Sequence, residues 1–425
     1  RYAWDTIGMT ISIFCAVLLF RALDGVIQHF LQCSGVVEGL VGIGHSLLWT
    51  AVTQVVVLRS AQMESADDSH GHGGWAKLKA AMHSTVDARC YGGLTAHIAA
   101  FAATHGWWKI QQAWEGVHPA GVFVTIGCAI LVFSVTTAGG TQFRHWQVAN
   151  SGLVGRRLRM WAEVAMETEN DITAVCIGYL SAEAACFLIS GTLPHAHEHD
   201  EALHVVEDVL LLLSASVAFA MLTVLCVWLH ADHEPHGHAE ESASCAPLRR
   251  ILEVAQRLFS FGFAWSLMFT SHWVSRWVMH DPESVFAMVV VALFLSVGSF
   301  FLISCLDIIA DASQGPALEQ GTRTLIAGLG FLVGLAWEHA FETGVTDLVR
   351  GSQHEYILKF VGCVMLVVIV FPAYRWYIIP TALSLTDLHR LKEEAGPNRE
   401  QSHSDVQYDS LRKEDTERTA IDSER

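Results

Sequence analysis

Leu335-Ala336-Trp337-Glu338-His339-Ala340-Phe341-Glu342 places two carboxylates and an imidazole within an apolar run from about residue 324 to residue 345. A run of this length can cross a bilayer as a helix. Ionisable groups at membrane depth are costly, and they usually face a bundle interior or a water-filled cavity. This stretch therefore predicts a polar site enclosed by membrane-spanning helices.

The composition indicates an integral membrane protein. Of the 425 residues, 52% are hydrophobic and only 16% are charged, whereas soluble domains carry about 25% charged residues. The net charge of −17 comes largely from loops and the C-terminal region, and no basic patch interleaved with aromatic residues indicates nucleic-acid binding. The ten cysteines form no C-x-x-C pair, so free thiols are expected rather than a disulfide framework.

The apolar runs predict an all-α, polytopic transmembrane helix bundle, because backbone groups in lipid must be satisfied within helices. Very short links alternate with longer polar ones, which predicts five helical hairpins. Residues 1–384 form the predicted bundle, and the polar residues 385–425 form a predicted disordered cytoplasmic tail. The ten predicted spans are 8–31, 37–58, 86–107, 119–140, 172–193, 206–229, 258–279, 285–308, 324–345 and 357–380.

Five odd-numbered spans each contain an ionisable group at a comparable depth, and this pattern suggests diverged internal repeats. The alternative is independent placement of one polar residue on each helix. Small residues precede most of these groups, and internal symmetry recurs in transporter folds. The aligned positions are Asp24, His97, Glu183, His272 and the pair Glu338/His339.

These residue types suit two kinds of chemistry. Imidazole nitrogen and carboxylate oxygen bind divalent transition metals such as Zn²⁺, and both groups relay protons in membranes. Each group could instead hold neighbouring helices together through hydrogen bonds. The candidate metal ligands are Glu338, His339, Glu183, His97, His272, Asp24 and His45, and the polar links add histidine-rich tracts at residues 70–72, 195–199 and 230–238.

The leading hypothesis is a transporter or channel that moves a small cation, either a divalent metal or H⁺. One alternative is a redox protein that binds haem through His83 and His97, and another is a non-transporting structural or assembly subunit.

No adjacent histidine pair occurs, which excludes the H-x-x-H-H boxes of membrane desaturases. An enzyme is the less favoured class, no cofactor other than a divalent metal is indicated, and a homo-oligomer is compatible with the sequence. The expected partners are the lipid bilayer and the cation.

The distribution of basic residues predicts that both termini are cytoplasmic. Lysine and arginine gather in the links 59–85, 141–171 and 230–257, and the opposite links hold few. Positive charge is retained on the cytoplasmic side of membrane proteins. We therefore expect a tag fused after Arg425 to be inaccessible to antibody in intact cells and accessible after permeabilisation. Labelling of the tag in intact cells that carry the protein on their surface would contradict this topology.

Overall fold

In the computed structural model, each predicted span coincides largely with one long helix. The structure describes residues 3–67, 74–114, 118–150, 156–194, 205–232, 246–279, 281–282, 284–312 and 316–383. These residues are 93% helical and contain no strands, which confirms the all-α prediction. The ten helices are α1 (Ala3–Leu31), α2 (Val36–Asp67), α3 (Gly74–Ala113), α4 (Ala120–Asn150), α5 (Arg156–Ser190), α6 (Val206–Asp232), α7 (Ala246–Val278), α8 (Val285–Ala312), α9 (Pro316–Val349) and α10 (Glu355–Ala373).

The predicted tail and most of the loop histidines lie outside the described residues. This applies to residues 385–425 and to the tracts at 70–72, 195–199 and 233–238. Both predictions therefore stay predictions. Of the histidines in the three predicted tracts, the structure describes His230, which lies near the end of α6 and is 9% exposed.

Eight of the described helices are long and apolar enough to cross a membrane. The predicted spans 86–107 and 258–279 lie on α3 and α7, which are not among the eight. Both helices pack between other helices: α3 contacts α1, α2 and α5, and α7 contacts α5, α6 and α9. A helix enclosed by protein does not need an apolar surface on every side. Eight candidate spans are therefore supported, and the predicted count of ten, which needs α3 and α7, is not confirmed.

Helices alternate along the chain between the interior and the periphery of the bundle. In α1, α5 and α9, between 50% and 67% of the most apolar stretch is buried. The corresponding share is 11% to 33% in α2, α4, α6, α8 and α10. Large apolar side chains such as Phe294 on α8 and Ile369 on α10 are exposed on these outer helices, as expected for a surface in contact with lipid.

The most extensive packing does not follow the five predicted hairpins. It joins α2 to α3, α6 to α7 and α5 to α7, and α1 packs mainly on α9 and α10. The hairpin arrangement and the internal repeats are therefore not confirmed. Trp4 on α1 contacts Tyr377 beyond α10, with ring centroids 5.6 Å apart. The first and last described segments thus lie at the same end of the bundle, which we call the terminal end; the opposite end is the far end.

A π-helical segment, Tyr374–Ile378, follows α10 at the terminal end. Pro372 lies just before it, and proline removes one backbone donor from the helical hydrogen-bond pattern. Arg375 within this segment donates a hydrogen bond of 2.9 Å to Asp87 on α3. The irregular turn thus fastens the last described helix to the inner helix α3.

Close approach of α2 and α3 depends on glycine. A Cβ atom added at Gly106 would lie 2.7 Å from the carbonyl oxygen of Gly39 and 2.7 Å from the backbone nitrogen of Ile43. Both atoms belong to the backbone, so neither can rotate away. Small residues allow this kind of helix contact in membranes.

We expect Gly106→Ala to destabilise the protein by about 1–3 kcal/mol, the usual cost of overpacking. Gly127→Ala on α4 is the matched control, because an added Cβ there meets nothing within 4 Å. The measurement is the thermal unfolding midpoint of each variant in detergent. Equal midpoints for the two variants would contradict the described α2–α3 contact.

Candidate functional site

An inner charged cluster forms where α1, α9 and α10 meet in the far half of the bundle. It comprises Arg21, Glu338, Glu342 and Lys359. Lys359 Nζ donates a hydrogen bond of 2.8 Å to Glu342 Oε1. Arg21 Nε lies 3.7 Å from Glu342 Oε2 and 4.0 Å from Glu338 Oε1. Two carboxylates and two cations therefore balance each other across three helices.

Glu338 is the most deeply buried member of the cluster. The residue is 2% exposed, and its Oε1 atom has no hydrogen-bond partner among the described residues. A buried carboxylate oxygen without a hydrogen bond is energetically costly in its charged form. Glu338 is therefore suited to gaining and losing a proton.

Two histidines adjoin the cluster. His339 Nδ1 lies 4.0 Å from Glu342 Oε2, and the rings of His339 on α9 and His272 on α7 meet edge to face with centroids 5.5 Å apart. The structure thus brings together three predicted site residues, Glu338, His339 and His272. Imidazoles at this position can exchange protons with the carboxylates of the cluster.

Asp24 belongs to a second polar group at the far end, between α1, α2 and α3. Gln28 donates hydrogen bonds of 2.7 Å to Asp24 and 3.2 Å to Glu38. His105 Nε2 lies 3.2 Å from Glu38 Oε1 and 3.9 Å from Asp24 Oδ2. Lys109 forms an ion pair of 3.2 Å with Glu38. Sequence reasoning missed Glu38 because it lies at the edge of a span, where a solvated carboxylate is unremarkable.

The remaining predicted residues have separate partners. His97 Nδ1 shares a hydrogen bond of 3.0 Å with the Ser12 hydroxyl in the interior between α3 and α1. Glu183 accepts a hydrogen bond of 2.9 Å from Tyr179, one turn earlier on α5. His45 Nε2 accepts a hydrogen bond of 2.8 Å from Trp49 on α2. His97 and Glu183 are almost fully buried, as is Glu338.

The metal prediction finds no support in this geometry. Within the described residues, no group of three or more His, Cys, Asp or Glu side chains is arranged to hold a metal ion. The haem alternative depends on His83, whose side chain lies outside the described part of the chain. An absorbance spectrum of the purified protein tests that alternative directly.

A polar vestibule opens at the terminal end between α1, α5, α7 and α9. It is an open cavity of about 520 Å³, and its walls include Asp171, Gln256, Arg257 and Arg323. Its deep end reaches Gly328 on α9. Because a helix rises about 1.5 Å per residue, Glu338 lies about 15 Å farther along α9.

An aromatic layer separates the vestibule from the inner charged cluster. Phe331 on α9 packs against Phe261 and Trp265 on α7, with ring centroids 4.8 Å and 5.5 Å apart. It also stacks on Phe101 of α3 at 6.0 Å. Tyr179 meets Trp265 edge to face at 4.7 Å. The layer is built from α3, α5, α7 and α9, and it closes the centre of the bundle.

Sequence reasoning also missed a buried ion-pair network at the terminal end. Glu169 on α5 pairs with Arg144 of α4 and, at 2.9 Å, with Arg250 of α7. Gln54 on α2 donates a hydrogen bond of 3.1 Å to the same carboxylate. Glu169 joins four helices, and the arginines were interpreted only as topological signals. The signal that could have revealed this network is Glu169 itself, a carboxylate between the arginines at 156–159 and the predicted span 172–193.

The fold and these sites define an integral, multi-pass, α-helical membrane protein with charged groups in its interior. No protein-family model, curated protein or solved structure matches the chain. Its function is therefore argued from its own geometry.

We expect Glu342→Gln to lower the free energy of unfolding by about 1–3 kcal/mol, because it leaves Lys359 in the bundle without its hydrogen-bonded counter-charge. Combining Glu342→Gln with Lys359→Met should show a coupling energy of about 1 kcal/mol. Thermal unfolding of the two single variants and the double variant measures it.

Asp347→Asn is the control for this cycle. Its ion pair with Arg350 lies on the same helix but is largely exposed, so its loss should cost less than about 1 kcal/mol. Strict additivity of Glu342→Gln and Lys359→Met would show that the described pair does not stabilise the bundle.

Proposed function

We propose that the protein is a proton-translocating membrane transporter or channel, in which Glu338 is the proton-binding group. The observation that supports this most is the burial of Glu338, with one carboxylate oxygen lacking a hydrogen bond, at 4.0 Å from Arg21. Intramembrane carboxylates and histidines commonly mark proton relays. Protonation would neutralise the Glu338 carboxylate, one oxygen of which lacks a hydrogen bond. The positive charge of Arg21 would favour release of the proton, because it stabilises the ionised carboxylate.

The charge balance of the inner cluster favours H⁺ over a divalent metal as the bound cation. Arg21 and Lys359 already accompany the two glutamates. A divalent metal would add two positive charges beside two cations that already neutralise these carboxylates, and like charges this close repel each other. A proton adds one charge and forms a covalent O–H bond with a carboxylate. The sequence left the choice between a divalent metal and a proton open, and the charges of the cluster favour the proton.

The positions of the vestibule and the aromatic layer are consistent with such a role. Water in the vestibule would supply protons from the terminal end, while the layer around Phe331 would prevent a continuous water column through the bundle. On the far side, His272 and His339 lie beside the cluster and would pass protons onward. Controlled access from one side is a general requirement of membrane transport.

A structural or assembly role is the second candidate, and the network around Glu169 favours it. That carboxylate joins α4, α5 and α7 through two arginines, which is the arrangement of a helix clamp. The two candidates differ in what they predict for Glu338. In a proton transporter its carboxylate must gain and lose a proton, whereas in a structural subunit a folded variant that lacks this carboxylate would still function.

The test of the proposed function is proton uptake into proteoliposomes that contain a pH-sensitive dye, driven by a K⁺-diffusion potential. We expect the wild-type protein to acidify the lumen and Glu338→Gln to lower the initial rate at least about tenfold, because the amide cannot exchange a proton. Arg21→Lys keeps the positive charge and should retain part of the rate.

Asp347→Asn is the matched control, an exposed acidic residue on the same helix, and it should conduct as the wild type does. Folding of each variant is verified by its thermal midpoint before reconstitution. A wild-type protein with no flux above empty liposomes, or a folded Glu338→Gln variant with the full rate, would refute the proposal.

A further inference from the structure

We infer that the vestibule is a binding site for a small aliphatic ammonium ion, with methylene groups along its chain and N–H donors at its charged end. The walls carry an excess of negative charge. Three acidic residues, Glu167, Asp171 and Glu319, face the cavity together with two arginines, Arg257 and Arg323.

Arg257 does not neutralise this wall completely, because it serves two carboxylates. It forms an ion pair with Asp171 and lies 3.6 Å from Glu167 Oε1. The carboxylates of α5 therefore retain acceptor positions beyond the one guanidinium that α7 supplies. A carboxylate accepts hydrogen bonds at several lone-pair positions, so a ligand that donates N–H groups can share this wall with Arg257.

Gln256 supplies an independent indication of a ligand. The residue lines the vestibule, is 6% exposed, and its side-chain oxygen has no hydrogen-bond partner among the described residues. Buried polar atoms are nearly always hydrogen-bonded in native proteins, and an exception calls for a missing partner. An acceptor oxygen one residue from Arg257 calls for a donor, which an ammonium group provides.

The size and floor of the cavity indicate an organic ion rather than a bare metal ion. A cavity volume of about 520 Å³ lies within the range of small-molecule sites, about 300–1,000 Å³. The floor is apolar, with Met9, Phe261 and Ala327. An aliphatic chain can pack on these side chains while its ammonium group meets the acidic wall.

This inference goes beyond the proposed proton transport by assigning a ligand to the terminal end. Binding of the ammonium ion does not depend on proton transport. Only a transport of the ammonium ion itself would rest on the proposed function. Proton flux without ligand binding would refute the vestibule site and support the proposed proton transport. Ligand binding without proton flux would support the vestibule site and refute proton transport.

The probe is 1-aminobutane, added to the purified full-length protein in detergent at low ionic strength, with the thermal midpoint as the readout. We expect a saturable rise of the midpoint, because a ligand that binds only the folded state stabilises it. Tetramethylammonium has the same kind of charge without N–H donors, and it should act at least about tenfold more weakly. NaCl at equal ionic strength controls for charge screening.

Two substitutions of Gln256 should shift the affinity in opposite directions. Gln256→Leu removes the acceptor and should weaken binding of the probe about tenfold, whereas Gln256→Glu adds a negative charge of nearly the same shape and should tighten it. Gln147→Leu, on α4 outside the vestibule, should leave the affinity unchanged. A role of Gln256 in folding alone would not produce opposite changes in affinity.

If Gln256→Leu does not fold, Gln256→Glu decides the matter, because tighter binding is expected from its charge alone. An absent or non-saturable effect of 1-aminobutane would overturn the inference. The same would follow from an equal effect of tetramethylammonium or NaCl, or from a folded Gln256→Glu variant with unchanged or weaker affinity.

Discussion

The free-energy cost of placing a charge in hydrocarbon is the constraint on which this structure depends. Arg21, Glu183 and Glu338 lie on α1, α5 and α9, the three candidate spans whose apolar stretches are at least half buried. The outer helices present apolar side chains such as Phe294 to the surroundings. The carboxylates of the inner helices find their partners within the protein, some of them on outer helices, such as Lys359 of α10. The ion pairs of the interior follow from that separation.

The sequence predicted the helices well and their neighbours poorly. Helix formation in lipid is a local requirement, so each apolar run indicated one helix without knowledge of the rest of the chain. Which helices pack together depends instead on surface shape, for example on Gly39 and Gly106, where the backbones of α2 and α3 nearly touch. Hydropathy does not detect such contacts. For the same reason it underestimates α3 and α7, which are enclosed by other helices.

Part of the candidate site was predictable, because an ionisable residue inside an apolar run is conspicuous at any position. Glu338 and His339 were found in this way. Their partners were not, since Arg21 lies more than 300 residues earlier in the chain and nothing in the sequence pattern links the two segments. The structure instead places Arg21 beside Glu338 and Glu342 of a distant helix. The same residue types that can bind metal form ion pairs and hydrogen bonds here, and composition does not distinguish these outcomes.

The packing of α1 on α9 and α10 has a consequence for biosynthesis. Helix α1 leaves the ribosome some 320 residues before the helices on which it mainly packs, as the hydrogen bond from Thr10 to Gly330, 320 residues apart, illustrates. At about 5–20 residues per second, α1 waits roughly 15–60 s for these neighbours. During that interval Arg21 is in or near the membrane before Glu338 exists. A chaperone or the insertion machinery would have to shelter α1 until α9 and α10 have been made.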